Sequence, residues 1–241
     1  MDVQKRYLLI GCEIMFREIC FCAAKSRNII DIAFMPKRLH DVGSARMAQK
    51  LQEEIDKTAS SKYDAILLCY GLCNNGIIGL SSASLPIVVP KAHDCITLLM
   101  GSRERYNEYF RHNPGTFYQS PGWIERDEDS RGNEQSVTSQ LGMNRTWQEY
   151  AEKYGEENAK YIMQTLGGWH GRYRKLAYID TKTGDSRLYK EAAKSRAFEH
   201  QWEYEEIEGD TGLIMRLMDG EWDGGDFFVA PPNLPIAFDC I

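Results

Sequence analysis

The chain reads as an α/β protein: a mainly parallel sheet with helices on both faces, Rossmann-like, interrupted by an irregular middle excursion. Three observations carry this expectation. Short, continuously apolar runs alternate with segments whose apolar residues recur every three to four positions, the pattern of buried parallel strands joined by helices. The alternation stops in the Pro-Gly-rich, polar stretch from His112 to Gln140 and then resumes. The 241 residues suffice for one large core or for two related lobes meeting at a cleft.

The elements follow in order. Arg6–Cys12 is a first strand, and Glu13 to Lys25 a helix with Met15, Phe16, Ile19 and Ala23 on its apolar face. Ile29–Met35 is a second strand, stopped by Pro36. Ser44 to Lys57 is a helix whose Met47, Leu51 and Ile55 form a stripe. Ala65–Cys69 and Pro86–Pro90 are the third and fourth strands, and Asp94 starts one helix reaching about Phe110.

Residues 1–115 form an N-terminal α/β half carrying a Cys/His cluster, and 116–170 an aromatic loop and helical excursion. The excursion includes a solvated helix from Thr146 to Thr165, ended by Gly167-Gly168. Residues 171–241 complete the fold with strands Lys175–Asp180, Trp202–Ile207 and Asp226–Pro232. Helices Arg187–His200 and Thr211–Met218 lie between them, which makes seven strands in all.

Composition excludes several function classes. Thirty-five acidic against 29 basic residues give a net charge of −6, so no nucleic-acid footprint is expected. No stretch reaches the roughly 18 apolar residues of a membrane span. Leu9-Ile10-Gly11-Cys12 resembles a lipoprotein cleavage box, but Tyr7 to Ile10 is far shorter than the roughly 7–15 apolar residues of a signal-peptide core. The expected location is the cytoplasm. The seven cysteines, an odd number in a chain too long to need disulfide staples, fit reduced thiols there.

Three of those cysteines stand apart. In open parallel sheets, ligands bind outside the carboxyl ends of the strands. Cys12 closes the first strand, Cys73 follows the third, and His93 and Cys95 follow the fourth. His40 lies five residues past the second. Three thiolates and an imidazole form a soft donor set for zinc, iron or an iron–sulfur cluster. Helices starting near Glu13, Gly76 and Asp94 would point their N-termini at this rim and favour thiolate over thiol.

Cys20, Cys22, Cys69 and Cys240 have ordinary explanations in a helix, a strand core and a chain end. A set of small buried apolar cysteines remains open for the other three as well. So does a metal-free nucleophile, Cys95 with His93 or His40 as its base. Gly71 and Gly76 flank Cys73 and would form a backbone cradle for an anion or cofactor, or merely a sharp turn. Tyr118 and Trp123 would be flat contacts for a ligand under an aromatic lid, or pins that hold a loop.

Cys12-Glu13, Leu39-His40, Tyr70-Gly-Leu-Cys73, Ala92-His-Asp-Cys-Ile96, Gly101-Ser-Arg103, Pro114-Gly-Thr116, Pro121-Gly-Trp123 and Trp222-Asp223 together resemble the domain of unknown function 1638. That family occurs in methanogenic archaea and anaerobic bacteria, often encoded near corrinoid proteins and corrinoid-dependent methyltransferases. The resemblance implies a role in one-carbon or methyl-transfer metabolism, with a corrinoid supplied through a partner. It equally allows a non-catalytic accessory that binds the corrinoid protein or its methyltransferase. Cys12, Cys73, His93 and Cys95 fall on its motifs. Asn74 stands where the family pattern has glycine, which counts against the cradle and leaves the thiols untouched.

Overall fold

The central strand β1, Arg6–Cys12, pairs in parallel with β2, Ile29–Met35, on one side and with β3, Ala65–Cys69, on the other. Both its faces are covered, which explains why its sequence is apolar without alternation. A computed structural model describes residues 3–37, 39, 43–126, 151–152, 155–158 and 173–241. β4, Ile87–Pro90, continues the parallel array, and β8, Phe227–Ala230, closes it antiparallel, giving the order β2-β1-β3-β4-β8.

The connection from β1 to β2 passes through a 3-10 turn, Glu13–Met15, and helix α1, Phe16–Lys25. The one from β2 to β3 uses α2, Ser44–Asp56. Strand order reverses at β1, so right-handed crossovers put these helices on opposite faces. α1 approaches so closely that a Cβ on Gly11 would lie 2.6 Å from Ile19 Cδ1. α2 buries Met47, Leu51 and Ile55, the stripe expected from their spacing.

Two differences from the sequence expectation concern the middle of the chain. The single helix from Asp94 is two, α3 at Cys95–Met100 and α4 at Arg103–His112. Gly101 between them has φ +74°, a left-handed stop that glycine adopts without penalty. Asp94 and Ser102 cap the two starts, accepting from the backbone N–H of Thr97 and Arg105.

The second difference is an eighth strand. β5, Thr116–Gln119, lies inside the expected loop and is only four residues long, between two Pro-Gly turns, so it gives almost no periodic signal. It pairs in parallel with β6, Lys175–Asp180, which pairs in parallel with β7, Glu203–Glu208. After β5 comes a short helix, α5, Pro121–Glu125. The expected helix from Thr146 to Thr165 lies largely outside the described residues, as does His40.

The small sheet is not a detached body. Ala177 and Ile179 of β6 join the same apolar core as β1, β3 and β4, while Leu176 and Tyr178 point the other way onto α6, Arg187–Glu199. α7, Gly212–Asp219, then packs on α1 and brings the chain back to the large sheet for β8. Among the described residues no helix is long and apolar enough to cross a membrane.

Candidate functional site

The carboxyl ends of β1, β3 and β4 open onto one cavity of about 160 Å³. β2 and β3 lie on opposite sides of β1, so this is the topological switch point of the sheet. Cys12, Cys73 and Cys95 all line the cavity, together with Tyr70, Asp94, Lys37 and Trp123. The rest of the wall includes Ile14, Met15, Pro36 and Leu39 and is apolar.

Each sulfur meets hydrogen-bond donors. Cys12 receives the backbone N–H of Ile14 and faces the Tyr70 hydroxyl. That hydroxyl is buried and has no conventional hydrogen-bond partner among the described residues. Cys73 receives the backbone N–H groups of Gly71 and Cys95. The Trp123 indole N–H donates to Cys95. Donors spent on sulfur suit a thiolate far better than a thiol, whose sulfur is a weak acceptor.

Without a cation, however, burial wins. Desolvation pushes the Cys12 thiol up to about 11 and the Cys73 thiol up to about 12. It raises Cys95 well above the ordinary thiol value, and the neighbouring Cys73, Asp94 and Cys12 push in the same direction. The expected preference for thiolate at the helix starts is therefore overturned: loss of water and mutual repulsion outweigh the donors and Lys37.

The loop that presents Cys73 is strained. Cys73, Asn74 and Asn75 have φ of +43°, +62° and +63°, three consecutive left-handed residues without a glycine. Such residues cost roughly 1–2 kcal/mol each, less for asparagine. Asn74, where the family pattern has glycine, thus occupies the conformation that favours glycine. The turn is held by hydrogen bonds from Leu72 N–H to the Ala92 carbonyl and from Cys73 N–H to the His93 carbonyl.

The glycines serve contact rather than a cradle. A Cβ on Gly71 would lie 2.6 Å from the Asp94 backbone nitrogen, and one on Gly76 2.3 Å from Met47 Sδ. Gly71 lets the loops after β3 and β4 touch, and Gly76 lets α2 approach; neither lines the cavity.

The other sequence candidates are divided. His93 points to solvent, with 72% of its side chain exposed, and its Nδ1 lies 3.2 Å from Asp94 Oδ2. Its ring stacks on Tyr106. Tyr118 packs against Tyr106 and Tyr109 outside the cavity, while Trp123 lines it. Asp94 is occupied as the cap of α3 and by the Tyr106 hydroxyl at 3.1 Å. Among the described residues no three His, Cys, Asp or Glu side chains stand as a ready-made metal cage.

Sequence reasoning missed Lys37 and Tyr70. Lys37 is 5% exposed, and its Nζ lies 4.8 Å from the centre of the Trp123 ring. Glu13 Oε1 accepts its backbone N–H at 2.7 Å. Both residues sit just past strand ends, Lys37 after β2 and Tyr70 after β3, so the rule that found the thiols would have found them too.

No curated protein and no solved structure matches the chain. A family described as "Protein of unknown function (DUF1638)" matches residues 34–218, which include Cys73, Cys95 and Trp123 but not Cys12. With most of its length inside that match, and with the thiol-bearing loops after β3 and β4 within it, the chain belongs to the DUF1638 family.

Proposed function

We propose that this protein binds a soft metal ion, zinc or iron, or an iron–sulfur cluster, through Cys12, Cys73 and Cys95. The observation that carries the reading is the convergence of three sulfurs from three loops on one cavity, each supplied with N–H or O–H donors. Hydrogen bonds to ligand sulfurs orient them and tune the metal. Charge agrees: three thiolates and a dication leave one negative charge, and Lys37 lines the same cavity. Small side-chain rotations would bring the sulfurs into coordination, and one position would stay open for a further ligand.

In this reading the metal acts as a Lewis acid toward a small methyl acceptor or thiol in corrinoid-linked one-carbon metabolism. The cavity of about 160 Å³ has no room for a corrin ring, so the corrinoid stays on a partner protein or methyltransferase. An accessory role, docking to those partners without chemistry, uses the same site as a structural metal centre. A free cysteine nucleophile is less well supported, because His93 turns away from Cys95 toward solvent.

Elemental analysis and an absorption spectrum of anaerobically purified protein test the proposal. One metal or one cluster per chain is expected, lost on replacing Cys73 and Cys95 together by serine. Protein without stoichiometric metal, before and after anaerobic reconstitution with zinc or ferrous iron, would end it.

A further inference from the structure

The walls of the thiol cavity have an unequal origin. Every lining residue but one belongs to the large sheet's loops, between Cys12 and Cys95. The exception is Trp123, carried in from the small sheet by α5.

The way it is carried in is specific. β5 ends at Gln119, and Pro121 opens α5 directly after an extended Ser120. α5 then presses on the 3-10 turn after β1 so closely that a Cβ on Gly122 would lie 1.7 Å from the Ile14 carbonyl oxygen. That is backbone against backbone, with no flexible side chain to yield. On the same segment Glu125 is held by Arg17 of α1 and by the Tyr189 hydroxyl of α6. The segment is clamped along its length, and the residue between the clamps is Trp123.

The chemistry of Trp123 complements the cavity at two points. The indole N–H is a donor only, and it is directed at the Cys95 sulfur. The ring face carries the negative end of the aromatic quadrupole, and the Lys37 ammonium lies 4.8 Å from its centre. One side chain thus touches a ligand sulfur and the nearest buried cation together.

We infer that Trp123 is the positioning residue that completes the thiol site from the small sheet, by hydrogen-bonding the Cys95 sulfur and holding Lys37 at the cavity wall. The inference rests on the metal–thiolate reading above. It adds that the site is finished only when α5 is seated on the turn after β1. Gly122 is the residue that permits this seating.

Cobalt(II)-substituted protein supplies a readout that a merely structural tryptophan would not move. An N–H bond to a thiolate lowers the energy of the sulfur lone pair, so its loss shifts sulfur-to-cobalt charge transfer to longer wavelength. Trp123→Phe, which keeps an aromatic ring, is expected to show that shift with cobalt still bound, at an affinity about tenfold weaker. Gly122→Ala keeps the indole but unseats it, and the same shift is expected. Trp123→His restores a ring N–H and returns the band partway. An unchanged band and affinity in Trp123→Phe, with cobalt bound stoichiometrically, would overturn the inference and leave the metal reading standing. Wild-type protein that takes up no cobalt would overturn both. If Gly122→Ala does not fold, the two Trp123 variants still decide.

Discussion

Two parallel sheets meet in this molecule, and the carboxyl ends of their strands are furnished in opposite ways. The rim of the large sheet carries three sulfurs around an apolar cavity. The rim of the small sheet carries oxygen chemistry. Glu18 of α1 is fully buried and accepts the Thr181 hydroxyl at 2.6 Å, while Arg17 and Glu125 pair close by. Buried Gln119 and Ser120 complete that end. The general rule that ligands sit at carboxyl ends applies to both rims. The difference teaches that the rule needs a second condition, donors that converge on shared space rather than on one another.

The largest effect that would break this contrast is chemical. With thiol values near 11 and 12, Cys12 and Cys73 hold very little thiolate at pH 8. Metal-free protein should therefore alkylate at these positions about 100–1,000-fold more slowly than a free cysteine of pKa about 8.5. The rate should climb about tenfold per pH unit toward pH 11. Peptide mapping after timed iodoacetamide treatment measures this. Fast labelling of both at neutral pH would mean that the rim is wetter and less apolar than its lining suggests.

Glycine replacement gives the next effect. Gly71→Ala drives a methyl into the Asp94 backbone and should cost about 3 kcal/mol, with a distorted thiol site. Gly184→Ala, on the small sheet's rim, meets only the Arg17 guanidinium at 2.9 Å, the mobile end of a long side chain. It should cost less than about 0.5 kcal/mol. Denaturant unfolding of the pair compares the two rims directly, and equal costs would remove the contrast in packing.

The smallest effect concerns Glu18, whose carboxyl burial holds above the ordinary range. A raised folded-state value means the native protein keeps a proton that the unfolded chain releases. Its contribution is therefore complete below the unfolded value of about 4.3 and lost as pH rises through the folded value. Glu18→Gln should accordingly gain in Tm relative to wild type between pH 5 and pH 8. A constant difference across that range would place the carboxyl in water.

Much of this contrast is legible in sequence, and the reasons differ by element. β1, β2, β3 and β6 span the residues their apolar runs mark, because strands buried on both faces leave no polar interruption. β5 escapes because four residues between Pro-Gly turns carry no period. Gly101-Ser102 is a legible stop and cap inside what reads as one helix, but long apolar spacing masks it.

At the site, strand ends locate the sulfurs, since topology alone sets where strands finish. Side-chain direction is harder to read. The chain turns from extended to helical at Asp94, so Cys95 enters the cavity while His93, two residues away, faces solvent. Lys37, Tyr70 and the clamp at Gly122 depend on distant contacts: with Trp123 across the cavity, with Cys12, and with Ile14. Local spacing carries no trace of them.

The central claim is that the large sheet's rim presents three sulfurs to one metal ion. Anaerobic titration of metal-free protein with cadmium(II), followed by the ultraviolet sulfur-to-cadmium absorption, tests it most directly. The account predicts a band that saturates at one cadmium per chain with the intensity of three thiolates. It should lose about one third of that intensity in each of Cys12→Ser, Cys73→Ser and Cys95→Ser, in keeping with one bond per sulfur. A band that persists at full strength in those variants, or that never saturates, would contradict it.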